Sequence, residues 1–330
     1  MMQKIRLGIV GYGNVGRGVE YAISQNHDME LVAIFTRRNP NEIFPVTKGV
    51  QVCKVADAEK FIDAIDVLAL CGGSATDLMQ QSPQFASCFN CVDSFDTHAK
   101  IPEYFALVDE NAKKAGKISI ISTGWDPGLF SLLRALGMAC LPNGADYTFW
   151  GSGVSQGHSE AIKRINGVKL AVQYTIPINS AVEEVRKGKQ PTLTPRQKHL
   201  RDCFVVAEQN ADTNLIAQTI KTMPHYFSDY DTMVHFITEE EYQTKHIEMP
   251  HGGFVFRTGK TGDAHKHRQC MEFSLQLESN PEFTASVMIA YARAAYRLHQ
   301  KGETGARTVF DIPLGMLTPD TMEKLREKVL

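Results

Sequence analysis

The stretch Ile5–Gly16, IRLGIVGYGNVG, decides the fold. Its opening is a short apolar run, and glycines follow it directly. From Val15 to Ser24 the apolar residues then fall at helical spacing. A strand, the turn Gly11-Tyr12-Gly13-Asn14-Val15-Gly16 and a helix thus stand in the order that a dinucleotide pyrophosphate demands. The first glycine permits the tight turn, the second lets backbone approach the phosphates, and the third lets helix and strand pack closely. The helix N-terminus adds unpaired N–H groups and a partial positive charge. A glycine-rich turn with no ligand is the plain alternative, and the flanking strand and helix weigh against it.

Outward from this turn the pattern repeats. Glu30–Phe35, Asp66–Cys71, Asn90–Phe95 and Ile118–Ser122 are apolar β-type runs, and Ile101–Ala115 reads as a helix. Strands alternating with helices imply crossover units and a parallel sheet covered on both faces. Near Trp125–Gly128 the pattern changes, which puts a boundary near residue 124. After a helix over Leu129–Cys140 come longer runs that alternate polar with apolar: Asp146–Trp150, Val168–Thr175, Arg201–Glu208 and Cys270–Glu278. Alternation predicts a mixed or antiparallel sheet with one wet face. Arg186–Lys198 is basic, holds Pro191 and Pro195, and reads as a surface loop. A strong helical pattern over Phe283–His299, a short strand over Ala306–Ile312 and a helix from Pro319 close the chain. The apolar stripe with Met288, Ile289 and Tyr291 reads as core or dimer surface. The expected class is α/β: a Rossmann-type doubly wound parallel sheet plus an α+β domain with a mixed sheet.

Composition sets the outer limits. The 330 residues suggest two domains, and 43% hydrophobic with 22% charged residues excludes a disordered chain, a collagen-like fibre or a coiled-coil rod. Thirty-five Lys and Arg against 37 Asp and Glu leave a formal net charge of -2, so no field draws in nucleic acid or an anionic membrane. No apolar run approaches the ~20 residues that span a bilayer, and the N-terminus turns polar and Gly-rich too early for a secretory signal. Seven cysteines, an odd number spread over the chain, point to reduced thiols in the cytoplasm. Cys88-Phe89-Asn90-Cys91 lacks the second Cys/His pair of a zinc site and leads into a strand, so packed thiols account for it. His251, His265 and His267 have no carboxylate or Cys at ligand spacing, and no metal is expected.

The end of the second strand chooses the nucleotide. An NAD site places an Asp or Glu there for the ribose 2′-OH, whereas this chain has Thr36-Arg37-Arg38. Two guanidiniums and a hydroxyl grip a 2′-phosphate that a carboxylate would repel. NADP is favoured over the alternative of an exposed basic turn.

IVGYGNVGR, IFTRR, GSATD, VDSFDTH, STGWDPG, FWGSGVSQGHS, MPHGG and NPEFTAS follow in that order from residue 9 to 286. Together they closely resemble the family of NADP-dependent meso-diaminopimelate dehydrogenases, over essentially the whole chain. The resemblance implies a homodimer of two-domain chains. A dinucleotide-binding domain over 1–124 is completed by about 281–330, and 125–280 serves substrate binding and dimerisation. It implies oxidation of the D-configured amino centre of meso-diaminopimelate to L-2-amino-6-oxopimelate (tetrahydrodipicolinate once cyclised), ammonia and NADPH, in lysine biosynthesis. It places Tyr12, Asn14 and Val15 with the three glycines, Thr36, Arg37, Arg38, Cys71, Gly72, Gly73 and Ser74 at the cofactor. The backbone around Ser94, Phe95 and Asp96, and around Thr123, Gly124, Trp125, Asp126 and Pro127, belongs there too. Around the substrate it places Asp96, Asp126, Trp150, Gln156, Gly157, Thr175, Arg201, His251 and Asn280. The sequence departs from the family pattern at Gly72, where a Met can stand, and at Ser152, where a Pro can stand.

A substrate with two ammonium and two carboxylate groups needs anions beside its amines and cations or N–H donors beside its carboxylates. Asp96 and Asp126 fall just past expected parallel strands, where ligands of open α/β sheets bind. Either can hold the D-centre amine and accept its proton, Asp126 first and Asp96 second. As Asp before Pro, Asp126 also reads as the cap of a helix starting at Pro127. Trp150 serves equally as a water-excluding wall or a core aromatic. Gly151–Gly157 can offer backbone amides to a carboxylate, Arg201 can bind one in bidentate fashion, and His251 can donate in either protonation state. Read alone, Arg201 is an ordinary surface arginine. A dehydrogenase of another dicarboxylic amino acid or sugar, or a non-catalytic NADP sensor, stays open beside the family reading. The Thr36–Arg38 assignment predicts that alanine at both Arg37 and Arg38 raises the Michaelis constant for NADP far more than that for NAD. Steady-state kinetics with each cofactor would show equal effects if the assignment were wrong.

Overall fold

Apolar runs without polar alternation fold as strands where both faces are covered, and the runs at the head of this chain meet that condition. In the computed structural model, which describes residues 4–330, they become β1 (Ile5–Val10), α1 (Asn14–Ser24), β2 (Met29–Thr36), β3 (Gln51–Lys54), β4 (Val67–Leu70), α2 (Met79–Ala86), β5 (Asn90–Asp93), α3 (Ile101–Ala115), β6 (Ile118–Ile120) and α4 (Leu129–Cys140). Next come β7 (Gly144–Trp150), β8 (Gly153–Val154), α5 (Gln156–Lys163), β9 (Val168–Pro177), α6 (Asn179–Arg186), the single turn α7 (Pro195–Lys198) and β10 (His199–Ala207). Then follow α8 (Thr213–Thr222), β11 (Asp231–Phe236), α9 (Glu239–Lys245), β12 (His251–Thr261) and β13 (His267–Leu277). The tail adds α10 (Asn280–Gln300), β14 (Gly305–Arg307) and α11 (Met322–Val329). Two compact units result: one up to Leu132 together with Pro281–Leu330, the other Leu133–Asn280. Among the described residues no helix is long and apolar enough to cross a membrane.

The first unit holds a seven-stranded sheet of order β3-β2-β1-β4-β5-β6-β14 in which every pairing is parallel. The order reverses between β1 and β4, and that switch point is where doubly wound sheets bind ligands. Val19 and Ile23 of α1 join Met288, Ala292 and Ala295 of α10 over Leu7, Ile9 and Ile34. Met288, Ile289 and Tyr291 are therefore core. On the other face Phe85, Tyr104, Val108 and Ala112 cover Val10, Phe35, Leu68 and Leu70. The edge strand β3 is not among the expected strands, because its two exposed and two half-buried residues show no period. The expected strand over Ala306–Ile312 ends at Arg307, where Thr308 caps a 3₁₀ turn at Val309–Asp311. Cys88 and Cys91 turn their thiols to the Phe85 and Phe89 carbonyls.

In the second unit the expected mixed sheet is two sheets. One has the order β11-β10-β9-β8, with β10 and β11 parallel and the other pairs antiparallel. The other is the antiparallel trio β13-β12-β7. Ile162, Ile216, Ile220 and Phe227 pack on Ala171, Cys203 and Val205 of the first sheet. Val182 and Val185 of α6 pack on Tyr147, Phe149 and Phe256 of the second. The basic segment read as a loop is more ordered than that. Arg186 closes α6, and Thr194 with Gln197 forms a capping box over Pro195–Lys198, the start signal that proline at the first helical position reinforces. Tyr147 anchors it by donating to the Pro191 carbonyl at 3.0 Å.

One buried group ties the loops of the first sheet together. Asp93, at the end of β5, is fully buried. Its Oδ1 accepts the Phe95 and Ser122 backbone N–H groups at 3.0 Å, and its Oδ2 accepts the Tyr104 hydroxyl at 2.5 Å and the Ser82 hydroxyl at 3.1 Å. Its backbone carbonyl accepts both the N–H and the hydroxyl of Thr123 at 2.8 Å. Burial pushes the Asp93 carboxyl above its ordinary range, against the downward pull of those donors. Asp93→Ala leaves four donors in a dry core, so urea unfolding should show a loss of about 3–5 kcal/mol. A loss under about 1 kcal/mol would mean that the loops are held by packing alone.

Candidate active site

The glycine turn has the shape its spacing predicts. Gly11 stands at φ +91°, and its N–H donates to the Phe35 carbonyl at 2.8 Å. A Cβ on Gly16 would lie 2.1 Å from the Gly11 carbonyl oxygen, so only glycine lets α1 close on β1. A Cβ on Gly13, the residue that precedes α1, would meet nothing within 4 Å. Space is open where a pyrophosphate must approach, and no acidic side chain stands in the first turn of α1, which begins at Asn14 and Val15. Tyr12 serves this turn through its backbone: its ring is buried and its hydroxyl donates to the buried Glu20. The residues present therefore fit a dinucleotide phosphate.

At the end of β2, buried Thr36 accepts the Arg38 N–H at 3.1 Å, and the Arg38 guanidinium donates to the Tyr12 carbonyl. Arg37 makes a bidentate pair with Asp77, at 2.7 and 3.2 Å, while most of its side chain stays in solvent. Asp77 also accepts the Gly73 N–H at 3.0 Å. The loop after β4, Cys71–Ser74, is thereby fastened to the basic end of β2. Gly72 belongs to this fastening, since a Cβ there would lie 2.7 Å from the Cβ of Asp77.

The two carboxylates of the first unit stand past β5 and β6. Asp96 is exposed, and its N–H donates to the Ser74 hydroxyl at 3.0 Å. Just before it Ser94 is half-buried, and the ring of Phe95 is buried, stacked on Tyr104 at 4.0 Å. Thr123, Gly124 and Trp125 are buried, and Asp126 and Pro127 are half-buried. No helix starts at Pro127: Asp126 and Pro127 lie between the bridge partners Trp125 and Gly128, and α4 begins at Leu129. Gly128, at φ +134°, lets the turn close, because a Cβ would lie 1.8 Å from the Gly124 carbonyl oxygen. Asp126 is thus a turn-tip residue rather than the cap of a helix at Pro127.

In the second unit Gly153, Thr175, Arg201 and Thr232 form one row across four strands. Thr175 and Arg201 are 3% and 7% exposed. The Arg201 guanidinium donates to the Thr175 hydroxyl, and its Nε has no partner. Among the described residues no carboxylate pairs with it. A second strip faces this row. Gly253 stands opposite Trp150, and the Gly151 and Val154 N–H groups donate to the Gly252 and Pro250 carbonyls at 2.9 and 2.8 Å. A Cβ on Gly153 would lie 2.4 Å from the His251 Cα. Gln156 Nε2 reaches the Met249 sulfur at 3.2 Å, and the Asn280 N–H donates to the Met249 carbonyl at 2.9 Å. The fold thus gathers Gln156, His251 and Asn280 about Met249–Gly253. The Gly151–Gly157 loop offers fewer amides than its sequence suggests. Those of Gly151, Val154 and Ser155 are spent on carbonyls, while Gln156 and Gly157 stand in the first turn of α5, where N–H groups have no helical partner.

Sequence reasoning missed the groups behind these side chains. His199 is buried, stacks on Trp150 with centroids 5.5 Å apart, and accepts the Trp150 N–H at Nε2 over 2.8 Å. The proton of its neutral ring therefore sits on Nδ1. Burial, then the positive charges of Arg201 and Lys198, lower its pKa to about 3. His158 is likewise lowered to about 4 by burial and Arg201, and its Nδ1 shares a hydrogen bond with Ser155 Oγ at 2.7 Å. The Tyr230 ring lies against Arg201, and Gln173 Nε2 donates to the Thr175 hydroxyl at 3.4 Å. A lone His or Tyr between polar neighbours has no period in sequence to mark it.

A doubly wound sheet with an open glycine turn at its switch point, and hydroxyl and guanidinium groups after its second strand, defines a dinucleotide-dependent oxidoreductase that uses NADP. Comparison with known proteins narrows the class. Residues 124–279 match the diaminopimelic acid dehydrogenase C-terminal domain. The chain is 62% identical over 329 residues to meso-diaminopimelate D-dehydrogenase of Lysinibacillus sphaericus, with 100% of each covered. The DAP dehydrogenase of C. glutamicum, solved in complex with DAP, is 46% identical with a TM-score of 0.92, with 100% of each chain covered. An engineered D-amino acid dehydrogenase solved bound to NADP+ is 44% identical with a TM-score of 0.87, over 99% of this chain and 100% of that one. The chain belongs to the meso-diaminopimelate D-dehydrogenase family.

The lowered His199 pKa has a consequence for stability. Its folded value lies below the ordinary ~6.5, so between the two the unfolded chain binds more protons. Stability is therefore full above about pH 6.5 and falls as the pH drops toward 3, by up to ~1.4 kcal/mol per unit from this residue. Urea unfolding at pH 7, 6 and 5 should show a shallower acid slope for His199→Gln than for the unaltered protein. Equal slopes would mean that the ring is protonated in the folded state.

Proposed function

We propose that this chain is an NADP-dependent dehydrogenase that oxidatively deaminates the D-centre of meso-2,6-diaminopimelate, reversibly, in lysine biosynthesis. The products are L-2-amino-6-oxopimelate and ammonia. The full-length kinship carries the class of reaction. The observation on this chain that carries the substrate reading is the buried Arg201 guanidinium, which among the described residues has no carboxylate partner. Burying a cation unpaired is costly, so such a group points to an anion that arrives with the ligand.

NADP bound at the Gly11–Gly16 turn supplies the hydride acceptor. Arg37 and Arg38 supply guanidiniums, and Thr36 a hydroxyl, for the 2′-phosphate. Arg37 comes already oriented by Asp77. In the substrate the D-centre loses a hydride and its amine a proton, and water then replaces nitrogen and releases ammonia. Only the neutral amine releases hydride readily, so a proton acceptor is required. Asp126 takes that role and Asp96 holds the ammonium, both carried at the carboxyl ends of parallel strands. Arg201 and Thr175 bind a carboxylate, and His251, Asn280, Gln156 and Gly157 complete the polar lining. Trp150, laid on His199, walls out water. The same reading makes residues 125–280 the substrate and dimerisation domain of a homodimer, and residues 1–124 with 281–330 the dinucleotide domain. Seven free cysteines fit a reducing, cytoplasmic setting.

Incubating the protein with NADP and each diaminopimelate stereoisomer tests the reading. NADPH should form with the meso isomer alone. Turnover of a different dicarboxylic amino acid in preference, or cofactor binding with no turnover at all, would replace it.

A further inference from the structure

Tyr230 has no place in the reaction as described, yet it touches the most exposed energetic problem in the second unit. Its ring centroid lies 3.9 Å from the Arg201 Cζ. At that distance the negative face of the ring attracts the guanidinium, and the attraction grows where water is excluded. Arg201 has little else. Its Nη1 donates to Thr175 Oγ1, and its Nε is buried without a partner. Thr175 Oγ1 also accepts from Gln173 Nε2 at 3.4 Å. With both lone pairs engaged, the hydroxyl hydrogen of Thr175 is left to point at something else. On this side of Arg201 the protein thus offers the shared Thr175 hydroxyl and the Tyr230 side chain, its ring face first and its hydroxyl beside it.

The ring is held in place by backbone. The Tyr230 N–H donates to the carbonyl of buried Phe227 at 2.9 Å. The next residue, Asp231, opens β11 opposite Leu200, one step from Arg201. Arg196 clamps the same turn, reaching Asp231 Oδ1 at 2.9 Å and the Ser228 carbonyl at 3.3 Å. A tyrosine just before a strand that pairs in parallel with the strand of Arg201 is placed by register, not by chance contact.

We propose that Tyr230 is a positioning residue for substrate binding: its ring face holds the Arg201 guanidinium flat and in place before a substrate carboxylate arrives. The inference rests on the reading of Arg201 as the carboxylate partner. Preorganisation of this kind lowers the ordering cost of binding and leaves the chemical step alone. Tyr230 therefore sets KM for the amino acid and neither kcat nor the KM for NADP.

The test is steady-state kinetics with meso-diaminopimelate on the full chain. Tyr230→Leu should raise the amino acid KM about tenfold or more, with kcat and the NADP KM little changed. Tyr230→Phe keeps the ring face and should stay within about threefold of the unaltered enzyme. Phenylalanine analogues with one, two and three ring fluorines, placed at position 230 by amber suppression, keep the shape and drain the ring face. Their KM should rise with each fluorine, and this series decides the matter if Tyr230→Leu does not fold. In an Arg201→Met background, Tyr230→Leu should add no further effect. A fluorine series with flat KM, a Tyr230→Phe as poor as Tyr230→Leu, or full additivity with Arg201→Met would overturn the proposal. If Arg201→Met raises KM while Tyr230→Leu does not, the proposal fails and the reading of Arg201 stands. If Arg201→Met leaves KM unchanged, that reading itself fails.

Discussion

A carboxylate in a dry core must be surrounded by donors, and Asp93 dictates where those donors go. Two come from backbone after β5 and β6, and two are hydroxyls of Ser82 and Tyr104 on α2 and α3. The loops that carry Asp96 and Asp126 are therefore not free to choose their paths. Each leaves its strand already fastened to one side chain. The apolar strands supply the bulk of the stability through burial on both faces, but burial is non-directional and would tolerate many loop conformations. The hydrogen-bonded acid selects among them.

The second unit has a comparable centre with the opposite sign. Arg201 is as deeply placed as a core residue, yet among the described residues its charge meets the Thr175 hydroxyl and the Tyr230 side chain and no carboxylate. Two neighbouring histidines are kept neutral in part by that charge. One of them, His199, carries Trp150 on its ring and holds the Trp150 backbone. Burial first, and then the positive potential of that arginine, keep the ring beneath the tryptophan neutral. In the first unit Arg37 and Asp77 extend the same logic, since the pair fixes the direction of a largely exposed cation and ties the loop after β4 to the end of β2.

Much of the first unit was legible. Ile5–Val10 and Ile101–Ala115 match their elements to the residue, because unbroken apolar runs and helical periods are local signals. Leu129–Cys140 was equally clear. The edge strand Gln51–Lys54 was not, since its order comes from pairing with β2 rather than from its own residues. In the second unit alternation revealed four strands, while β12, with its glycines and buried Arg257, hid behind a pattern that only its two neighbours explain. The alternative reading of Asp126 as the cap of a helix from Pro127 failed for a related reason. Asp-Pro is a helix start in general, but here Gly124 and Gly128 close a turn first.

By itself the sequence determined the doubly wound class, the glycine turn, the preference for NADP and, through its long motifs, the family. Each of these depends on residues close together in the chain, where spacing is geometry. Only the tertiary structure decided that Asp93 governs the loops of Asp96 and Asp126, that Arg201 is buried without a counter-charge among the described residues, that Asp77 holds Arg37, and that His199 and Tyr230 stand behind Trp150 and Arg201. Those relations join residues tens of positions apart or on different strands. Their strength comes from the exclusion of water, which is a property of the packed core and is written in no short stretch of sequence.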